Sequence, residues 1–306
     1  MEQIRIDRDA RAVRRKLFDA GFAILGLLAT FTGLLTLSAL IFDLGHDGAG
    51  RLSGQFLTSF PSRFPEQAGI LSAWVGTTLV MLVTASTAVP MGVAAGVYLE
   101  EYAPKNWLTA LIEINIANLA GVPSIVYGLM ALGLFVYQLR LGQSILTAGM
   151  TLALLILPIV IVATRESVRA VPGSMREAAY ALGATKWQTV KDHVLPYSTG
   201  GILTGVIIAL SRAIGETAPL ITIGALTFIA FLPDSPVKAE FPFVSFDWLM
   251  SPFTVMPIQM FNWVSRPQEE FHSNAAAAGL ILMLMTLAMN GLAIYLRYRF
   301  RKRIRW

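Results

Sequence analysis

Residues 177–196 read EAAYALGATKWQTVKDHVLP. This stretch is charged and amphipathic, and it lies between two long apolar segments of the chain. Thr185 and Gln188 form a Ser/Thr-x-x-Glu/Gln capping box, which predicts the start of a short helix. Pro196 is suited to end this helix or to open the next apolar segment. The stretch therefore predicts a helical hairpin at the surface of a membrane protein, where another protein can bind to it.

An earlier capping box, made of Ser174 and Glu177, predicts the start of the first helix of this hairpin. Apolar side chains then follow at positions i, i+3, i+4 and i+7 of one helical face: Met175, Ala178, Ala179 and Leu182. Gly183 tolerates a positive φ, so it is suited to end the helix. An amphipathic connection lying on the membrane surface explains the same periodicity.

The composition is that of a membrane protein. The chain has 306 residues, of which only 14% are charged, and its mean hydropathy is +0.61. Soluble domains have about 25% charged residues. Six apolar stretches, each of roughly 20 residues, predict six transmembrane helices: 17–42, 71–99, a span within 119–139, 145–163, 202–232 and 275–295.

The basic residues predict how these helices are oriented. With a cytoplasmic N-terminus, 18 of the 24 Lys and Arg residues lie in cytoplasmic segments and 5 in outer ones, and Arg212 is left inside a span. Positive residues are enriched in the cytoplasmic loops of membrane proteins. The bias predicts that both chain ends and residues 177–196 are cytoplasmic. Because the charges flank apolar segments, they do not indicate a nucleic-acid-binding face.

The sequence excludes several kinds of site. The chain has no cysteine, which excludes disulfides, thiolate metal sites and thiol nucleophiles. Its three histidines, His46, His193 and His272, are widely separated, so no metal site is predicted. The chain lacks a Walker A motif, which argues against an ATP site of its own. We therefore expect neither catalytic residues nor a cofactor in this chain.

A charged pair interrupts the fifth apolar stretch, where residues 211–219 read SRAIGETAP. Arg212 and Glu216 are at i and i+4, which places them on one helical face. An arginine near the bilayer centre costs roughly 2.5–3.5 kcal/mol on insertion scales, so it must face protein or water and find a partner, for which Glu216 is the obvious choice. Pro219 frees a backbone carbonyl one turn away, which predicts a kink or a break.

The residues leave two interpretations of this pair open. It is either a static pair that holds two helices together or an anion relay. The relay is favoured because the planar guanidinium of Arg212 matches the oxygens of a phosphate group. Glu216 would then neutralise the arginine when no anion is bound and keep anion binding weak enough for release.

Two further segments also have alternative interpretations. The Gly and Pro of residues 121–124 (GVPS) predict a broken helix that lines a transport pathway, or a bend where an amphipathic helix, residues 107–116, turns into the bilayer. Aromatic residues in the outer segment 233–274 indicate an interfacial belt or a docking or gating surface. They are Phe241, Phe243, Phe246, Trp248, Phe253, Phe261, Trp263 and Phe271.

The hairpin segment resembles the EAA loop of bacterial ABC importer permeases, in which Glu-Ala-Ala is followed by a spaced Gly and by Leu-Pro. The family usually has an aliphatic residue where this chain has His193. In that family the loop forms the coupling helix that docks into a cleft of the ATPase subunit. The resemblance implies that six residues serve this coupling: Glu177, Ala178, Ala179, Gly183, Leu195 and Pro196.

Three other segments are similar to phosphate importer permeases of the PstA type. They are SRAIGETAPL (211–220), GVPSIVYGL (121–129) and the outer-loop residues 257–272. In related phosphate permeases an arginine and an acidic residue of the fifth span are considered important for transport. Arg212 and Glu216 occupy these positions and are the implied substrate-pathway residues.

The resemblance implies an all-α membrane protein with six transmembrane helices and the type I ABC importer permease fold, including cytoplasmic coupling helices. Residues 1–16 are then a basic cytoplasmic N-terminus, and 17–70 form the first transmembrane helix and an outer loop. Residues 71–296 are the permease core, and 297–306 are a basic cytoplasmic tail. Such a chain is a multi-pass protein of the bacterial inner membrane that passes inorganic phosphate by alternating access.

The resemblance also implies partners. They are a second related permease subunit, ABC ATPase subunits that bind ATP and Mg, an extracytoplasmic phosphate-binding protein and membrane lipids. The chain itself is then a transport subunit and not an enzyme. The alternatives are a permease for another oxyanion, the sister permease of the same importer and, from a different class, a stand-alone anion channel.

Overall fold

Long apolar helices make up most of the structure. The computed structural model describes residues 2–235 and 245–303, and within these residues there is no β-strand. The helices are α1 (Glu2–Gly48), α2 (Gly54–Thr58), α3 (Leu71–Val97), α4 (Trp107–Leu119), α5 (Ser124–Ala131), α6 (Ile145–Arg169), α7 (Gly173–Ala181), α8 (Lys186–Thr189), α9 (Leu195–Ala213), α10 (Ala218–Thr222), α11 (Met256–Val264) and α12 (Glu270–Arg303). π-Helical turns extend α3, α5 and α8 at Tyr98–Tyr102, Leu132–Gln138 and Val190–Val194.

The prediction of six spans agrees with these helices. Within the described residues, five helices are long and apolar enough to cross a membrane, and the bent pair of α4 and α5 with its π-helical extension counts as a sixth. Several helices are longer than the apolar stretches that predicted them; α6 ends at Arg169 and α12 begins at Glu270. The backbone hydrogen-bond ladder continues into the polar ends because it does not depend on apolar side chains.

The fifth span differs from the prediction at both ends. One continuous helix runs from Lys186 to Ala213, so the predicted limits of 202–232 are wrong. Pro196 does not end the second hairpin helix. The backbone widens into a π-helical turn just before this proline, and a proline is tolerated where its missing N–H has no regular partner to bond. The second hairpin helix and the fifth span are therefore one helix.

The centre of the bundle is built by close packing of α3, α6 and α9. A Cβ added to Gly96 of α3 would lie 2.6 Å from the Cβ of Thr164 in α6. At Gly92 the same construction meets Val160 Cγ1 at 2.6 Å. Small residues at these crossings let the helix backbones approach, which is how helices associate inside a membrane.

The bend predicted around the GVPS segment is present. The axis of α4 and that of α5 with its extension differ by 106°, and Pro123 stands immediately before α5. The hydroxyl of Tyr127 donates to the carbonyl of Leu119 at 2.8 Å. This bond crosses the bend and satisfies a carbonyl that the end of α4 leaves without a helical partner.

The aromatic outer segment does not form a simple interfacial belt. Trp248, Phe253, Trp263 and Phe271 are buried, Phe246 and Phe261 are exposed, and Phe241 and Phe243 lie outside the described residues. The belt interpretation is therefore wrong for the four buried side chains. Trp248 and Phe253 pack into the main apolar core, and Trp263 and Phe271 pack into a second cluster with residues of α2, α3 and α12.

Helix α1 has little contact with the rest of this chain. It packs on α12 near its C-terminal end, where a Cβ on Gly48 would lie 2.6 Å from the backbone nitrogen of Ala277. In the candidate span Phe18–Arg51, none of the most apolar window is buried. This surface has the composition that suits lipid.

Candidate functional site

The charged pair of the fifth span is formed as expected. Nε of Arg212 donates to Oε1 of Glu216 at 3.3 Å, and the two side chains are 44% and 18% exposed. The pair does not lie on one continuous helix, because α9 ends at Ala213. Glu216 sits in the turn that follows, where its backbone N–H donates to the carbonyl of Ala213 at 3.2 Å. The break predicted from Pro219 is therefore present.

The break places both charges where helix dipoles favour them. Arg212 lies in the last turn of α9, the end at which unpaired carbonyls carry partial negative charge. Glu216 lies two residues before Ala218, the first residue of α10. Pro219 falls in the first turn of α10, where its missing N–H costs nothing. The broken helix thus stabilises an arginine and a glutamate within an apolar segment.

Two motifs that are separate in the sequence meet at this break. Helix α5, from the GVPSIVYGL segment, packs against α10. A Cβ added to Gly128 would lie 2.7 Å from the Cα of Pro219 and would also collide with the hydroxyl of Thr222. Only a residue without a side chain allows this approach. The α5–α10 contact therefore fixes the peptide segment that carries Glu216.

Two polar contacts that sequence reasoning missed join α9 to α12. The hydroxyl of Ser211, next to Arg212, donates to Oδ1 of Asn290 at 2.7 Å. Nη1 of Arg297 donates to the hydroxyl of Thr204 at 2.7 Å. Thr204 and Ser211 are seven residues apart on α9, and Asn290 and Arg297 are seven residues apart on α12. Each pair therefore lies on one face of its helix. Asn290 was the signal in the sequence that could have predicted the contact with Ser211, since a polar side chain in an apolar span needs a partner.

The hairpin consists of α7 and α8. The capping box at its second helix is confirmed: Thr185 Oγ1 accepts from the N–H of Gln188 at 3.3 Å, and Gln188 Oε1 accepts from the N–H of Thr185 at 2.8 Å. Gly183 has a φ of +82°, as the predicted helix end requires. We call the end of the bundle that carries α7 and α8 the hairpin end.

The capping box predicted at the first hairpin helix is wrong. Helix α7 begins at Gly173, and Pro172 precedes it without a side-chain cap. Ser174 therefore lies inside the helix. The reason is local: the residue before a proline avoids helical conformation, so the chain leaves α6 after Arg169 and starts a new helix directly after Pro172.

The predicted apolar stripe of this helix is only partly buried. Ala179 is 5% exposed and Met175 is half-buried, whereas Ala178 is exposed and Leu182 is 90% exposed. Helix α7 ends at Ala181, one residue before Leu182, so that side chain leaves the helical face. Ala178 and Leu182 are therefore left uncovered by this chain.

The six residues implied in coupling therefore occupy different environments. Glu177, Ala178 and Gly183 are exposed on the hairpin. Ala179 is buried, and Leu195 and Pro196 are half-buried at the base of the continuous helix. Leu195 packs against a cluster of valines from α3, α6 and the π-helical turn after α8. The first three residues are therefore open to an approaching protein, whereas Ala179 is covered by this chain.

A network of ion pairs at the hairpin end was also missed. Glu100 accepts from Nε and Nη2 of Arg169 at 3.1 and 2.8 Å. Arg165 reaches the same glutamate at 3.5 Å and Glu113 of α4 at 2.9 Å. Sequence reasoning places these arginines at the end of a span but cannot name acidic partners that lie on α4 and beyond α3.

Comparison with known proteins places the chain in a family. A sequence profile described as "Binding-protein-dependent transport system inner membrane component" matches residues 88–306. The match covers more than half of the chain. This chain belongs to the binding-protein-dependent transport system inner membrane component family. As a member of this family, it is an inner-membrane component of a transport system that depends on a binding protein.

Individual relatives support this family assignment over most of the length of the chain. It is 32% identical over 277 residues to the phosphate transport system permease protein PstA of Pasteurella multocida (strain Pm70), covering 90% of this chain and 93% of the relative. It is 33% identical over 275 residues to PstA of Yersinia pestis, covering 88% and 86%. The probable ABC transporter permease protein YqgI of Bacillus subtilis (strain 168) is 30% identical over 244 residues, or 78% and 82%.

A solved structure shows the same fold. An inward-facing structure of the MetNI methionine ABC transporter superposes with a TM-score of 0.57, covering 74% of this chain and 94% of the matched chain at 15% identity. The type I ABC importer permease fold inferred from the sequence is confirmed by this likeness.

Proposed function

We propose that this chain is the permease subunit of an ATP-driven ABC importer of inorganic phosphate. The observation that carries the proposal is the Arg212–Glu216 pair, held in a break of the fifth span. Support also comes from the relatives of Pasteurella and Yersinia, whose names state phosphate transport. The chain covers 93% and 86% of the length of these two relatives.

The geometry suits transient binding of an oxyanion. Arg212 is 44% exposed, so a ligand can reach its guanidinium. Its bond to Glu216 engages Nε at 3.3 Å, and the guanidinium has two further nitrogens that can donate to phosphate oxygens. Glu216 holds the arginine when the site is empty and repels a bound anion. The pair therefore favours passage of the anion over tight binding.

The hairpin is the proposed contact with the ATPase. Glu177, Ala178 and Gly183 form an exposed surface with little side-chain bulk, which allows a partner to approach closely. We propose that ATP and Mg are bound by two ATPase subunits, with no cofactor, metal site or catalytic residue in this chain. Closure of the ATPases would move the continuous helix Lys186–Ala213 and so reach Arg212 directly.

The remaining parts of the proposed assembly follow from the same arrangement. A second, related permease subunit would complete the pathway, and an extracytoplasmic phosphate-binding protein would deliver the anion. The charge bias of 18 basic residues against 5 supports an inner-membrane orientation in which both termini and the hairpin are cytoplasmic.

The guanidinium of Arg212 also fits other tetrahedral oxyanions, so a permease for another oxyanion is the second candidate. Uptake of labelled phosphate into vesicles that contain the reconstituted complex tests both. We expect ATP-dependent uptake that unlabelled phosphate abolishes and that sulfate and molybdate do not. Stronger competition by sulfate or molybdate than by phosphate would favour the second candidate. Conduction by this chain alone, without ATP, would favour a stand-alone channel.

A further inference from the structure

The π-helical turn Tyr98–Tyr102 connects three other elements of the hairpin end. This turn, which we call the junction turn, continues α3 into the segment before α4. Glu100 of the turn pairs with Arg169 of α6 at 2.8 Å. Glu101 pairs with Arg176 of α7 at 2.7 Å. The ring of Tyr102 lies 5.0 Å from Nζ of Lys186, the first residue of α8.

The pair of Arg176 and Glu101 is the most elaborate of these contacts. Nε and Nη2 of Arg176 both donate to Oε1 of Glu101, at 3.0 and 2.7 Å. Nη1 donates to the carbonyl of Val171 at 2.7 Å, and Nη2 to that of Val168 at 3.0 Å. One side chain of α7 therefore binds the junction turn and the C-terminal end of α6 at the same time.

This contact is largely shielded from water. The side chain of Glu101 is 6% exposed and that of Arg176 is 20% exposed. The two carbonyls belong to Val168 and Val171, which are buried in the valine cluster at the hairpin end. A buried carboxylate that loses its partner is strongly destabilised, so α7 cannot separate from the junction turn without a large cost.

A lysine could not replace this arginine. Its ammonium is a compact charge on a flexible stem, whereas the guanidinium presents donors in a fixed fork. The fork is needed here because the acceptors lie on two elements, the carboxylate on the junction turn and the carbonyls at the end of α6. π-Helical turns inside α-helices occur frequently at functional sites.

We propose that the junction turn is the element through which movement of the hairpin reaches α3, with Arg176 as the positioning residue that locks α7 to it. This inference rests on the proposed function, because it assumes that an ATPase moves the hairpin. It adds a second route to the one along the continuous helix. The backbone joins the hairpin to the fourth and fifth spans, whereas the second span is reached through Arg176 and Glu101.

The test is the number of ATP molecules hydrolysed per phosphate imported by the reconstituted complex. In Arg176→Lys we expect this ratio to rise about tenfold, the size expected from loss of hydrogen bonds to a charged group, while the complex still copurifies. Glu101→Gln, which keeps the side-chain shape, should raise the ratio in the same direction. The matched control is Arg297→Lys: Arg297 is also half-buried at the hairpin end, but it links α12 to α9. Its ratio should stay close to that of the wild type.

A ratio at the wild-type value in Arg176→Lys, or an equal rise in Arg297→Lys, would overturn the inference. A lack of ATP-dependent uptake in the wild-type complex would instead refute the proposed function.

A distance measurement decides the inference without an uptake assay. The chain has no cysteine, so spin labels can be placed at Ser174→Cys in α7 and Met91→Cys in α3, both exposed positions. In the complex with unaltered Arg176, the distance between the labels should stay narrow and constant when ATP binds, because the lock joins the two helices. In the background of Arg176→Lys it should broaden. A distribution that is equally narrow with lysine would overturn the proposal.

Discussion

Gly128 and Pro219 lie so close that no side chain fits between their helices: a Cβ on Gly128 would fall 2.7 Å from the Cα of Pro219. The first residue belongs to the helix that enters the bilayer after a 106° bend. The second lies in the first turn of the short helix after the Arg212–Glu216 pair. A rearrangement of the third span would therefore press on the peptide segment next to Glu216, which links the bend before α5 to the Arg212–Glu216 ion pair.

Replacing Gly128 should disrupt this contact. In Gly128→Ala we expect a destabilisation of about 1–3 kcal/mol, because the added methyl overpacks a site whose neighbours include backbone. It should appear as a lower midpoint of thermal unfolding in detergent and as reduced uptake. Gly133→Ala is the control, since nothing lies within 4 Å of a Cβ at that glycine. Equal unfolding midpoints for the two variants would show that the close contact is not needed.

Arg212→Gln should reduce phosphate uptake by roughly ten- to a hundredfold, the range expected when a charged hydrogen-bond donor is lost. The complex should still assemble, because Arg212 is partly exposed and its removal leaves no deeply buried partner. The measurements are labelled-phosphate uptake and copurification with the ATPase. Uptake close to the wild-type level would show that the pair is the static alternative and not an anion relay.

A bulky residue at position 183 should uncouple ATP hydrolysis from uptake. Gly183 has a φ of +82°, and nothing in this chain lies within 4 Å of a Cβ there. Gly183→Gln therefore adds backbone strain of about 1–3 kcal/mol together with bulk that only a docking partner would meet. Gly142→Gln is the control, since that glycine has a φ of +66° and the same open space. The ATP-to-phosphate ratio should rise only at position 183, and a similar rise in both variants would place the effect in the backbone alone.

Thr185 and Ser174 provide a direct test of the two capping boxes. Thr185→Ala should destabilise the start of α8 by about 1 kcal/mol, because the side-chain bond to the N–H of Gln188 is lost. Ser174→Ala should have little effect, because Ser174 caps no helix. Hydrogen exchange of the backbone amides of residues 173–189 measures both. Faster exchange in Ser174→Ala than in Thr185→Ala would contradict the observed helix starts.

Much of the local structure follows from short-range chemistry. The apolar lengths predict the spans, the positive φ of the hairpin turn follows from Gly183, and the capping box of Thr185 follows from a spacing of three residues. The i, i+4 spacing of Arg212 and Glu216 also predicts their ion pair. The last three features depend on residues within about one helical turn of each other, and the spans depend on the length of a continuous apolar stretch.

The wrong local predictions have equally local causes. The first hairpin helix begins directly after Pro172, and Ser174 lies inside it. Helix α6 ends before this proline because a proline restricts the conformation of the residue before it. The fifth span begins at Lys186 because a π-helical turn accommodates Pro196.

The sequence by itself determined that this protein spans a membrane, where its hairpin turns and that Arg212 pairs with Glu216, because these depend on apolar length and on spacings of a few residues. Only the tertiary structure decided that Arg176 meets Glu101, 75 positions away, and that Ser211 meets Asn290, 79 positions away. It also decided that Gly128 packs on Pro219. Such contacts depend on how helices pack against one another, and a helix with the same periodicity can pack in several registers.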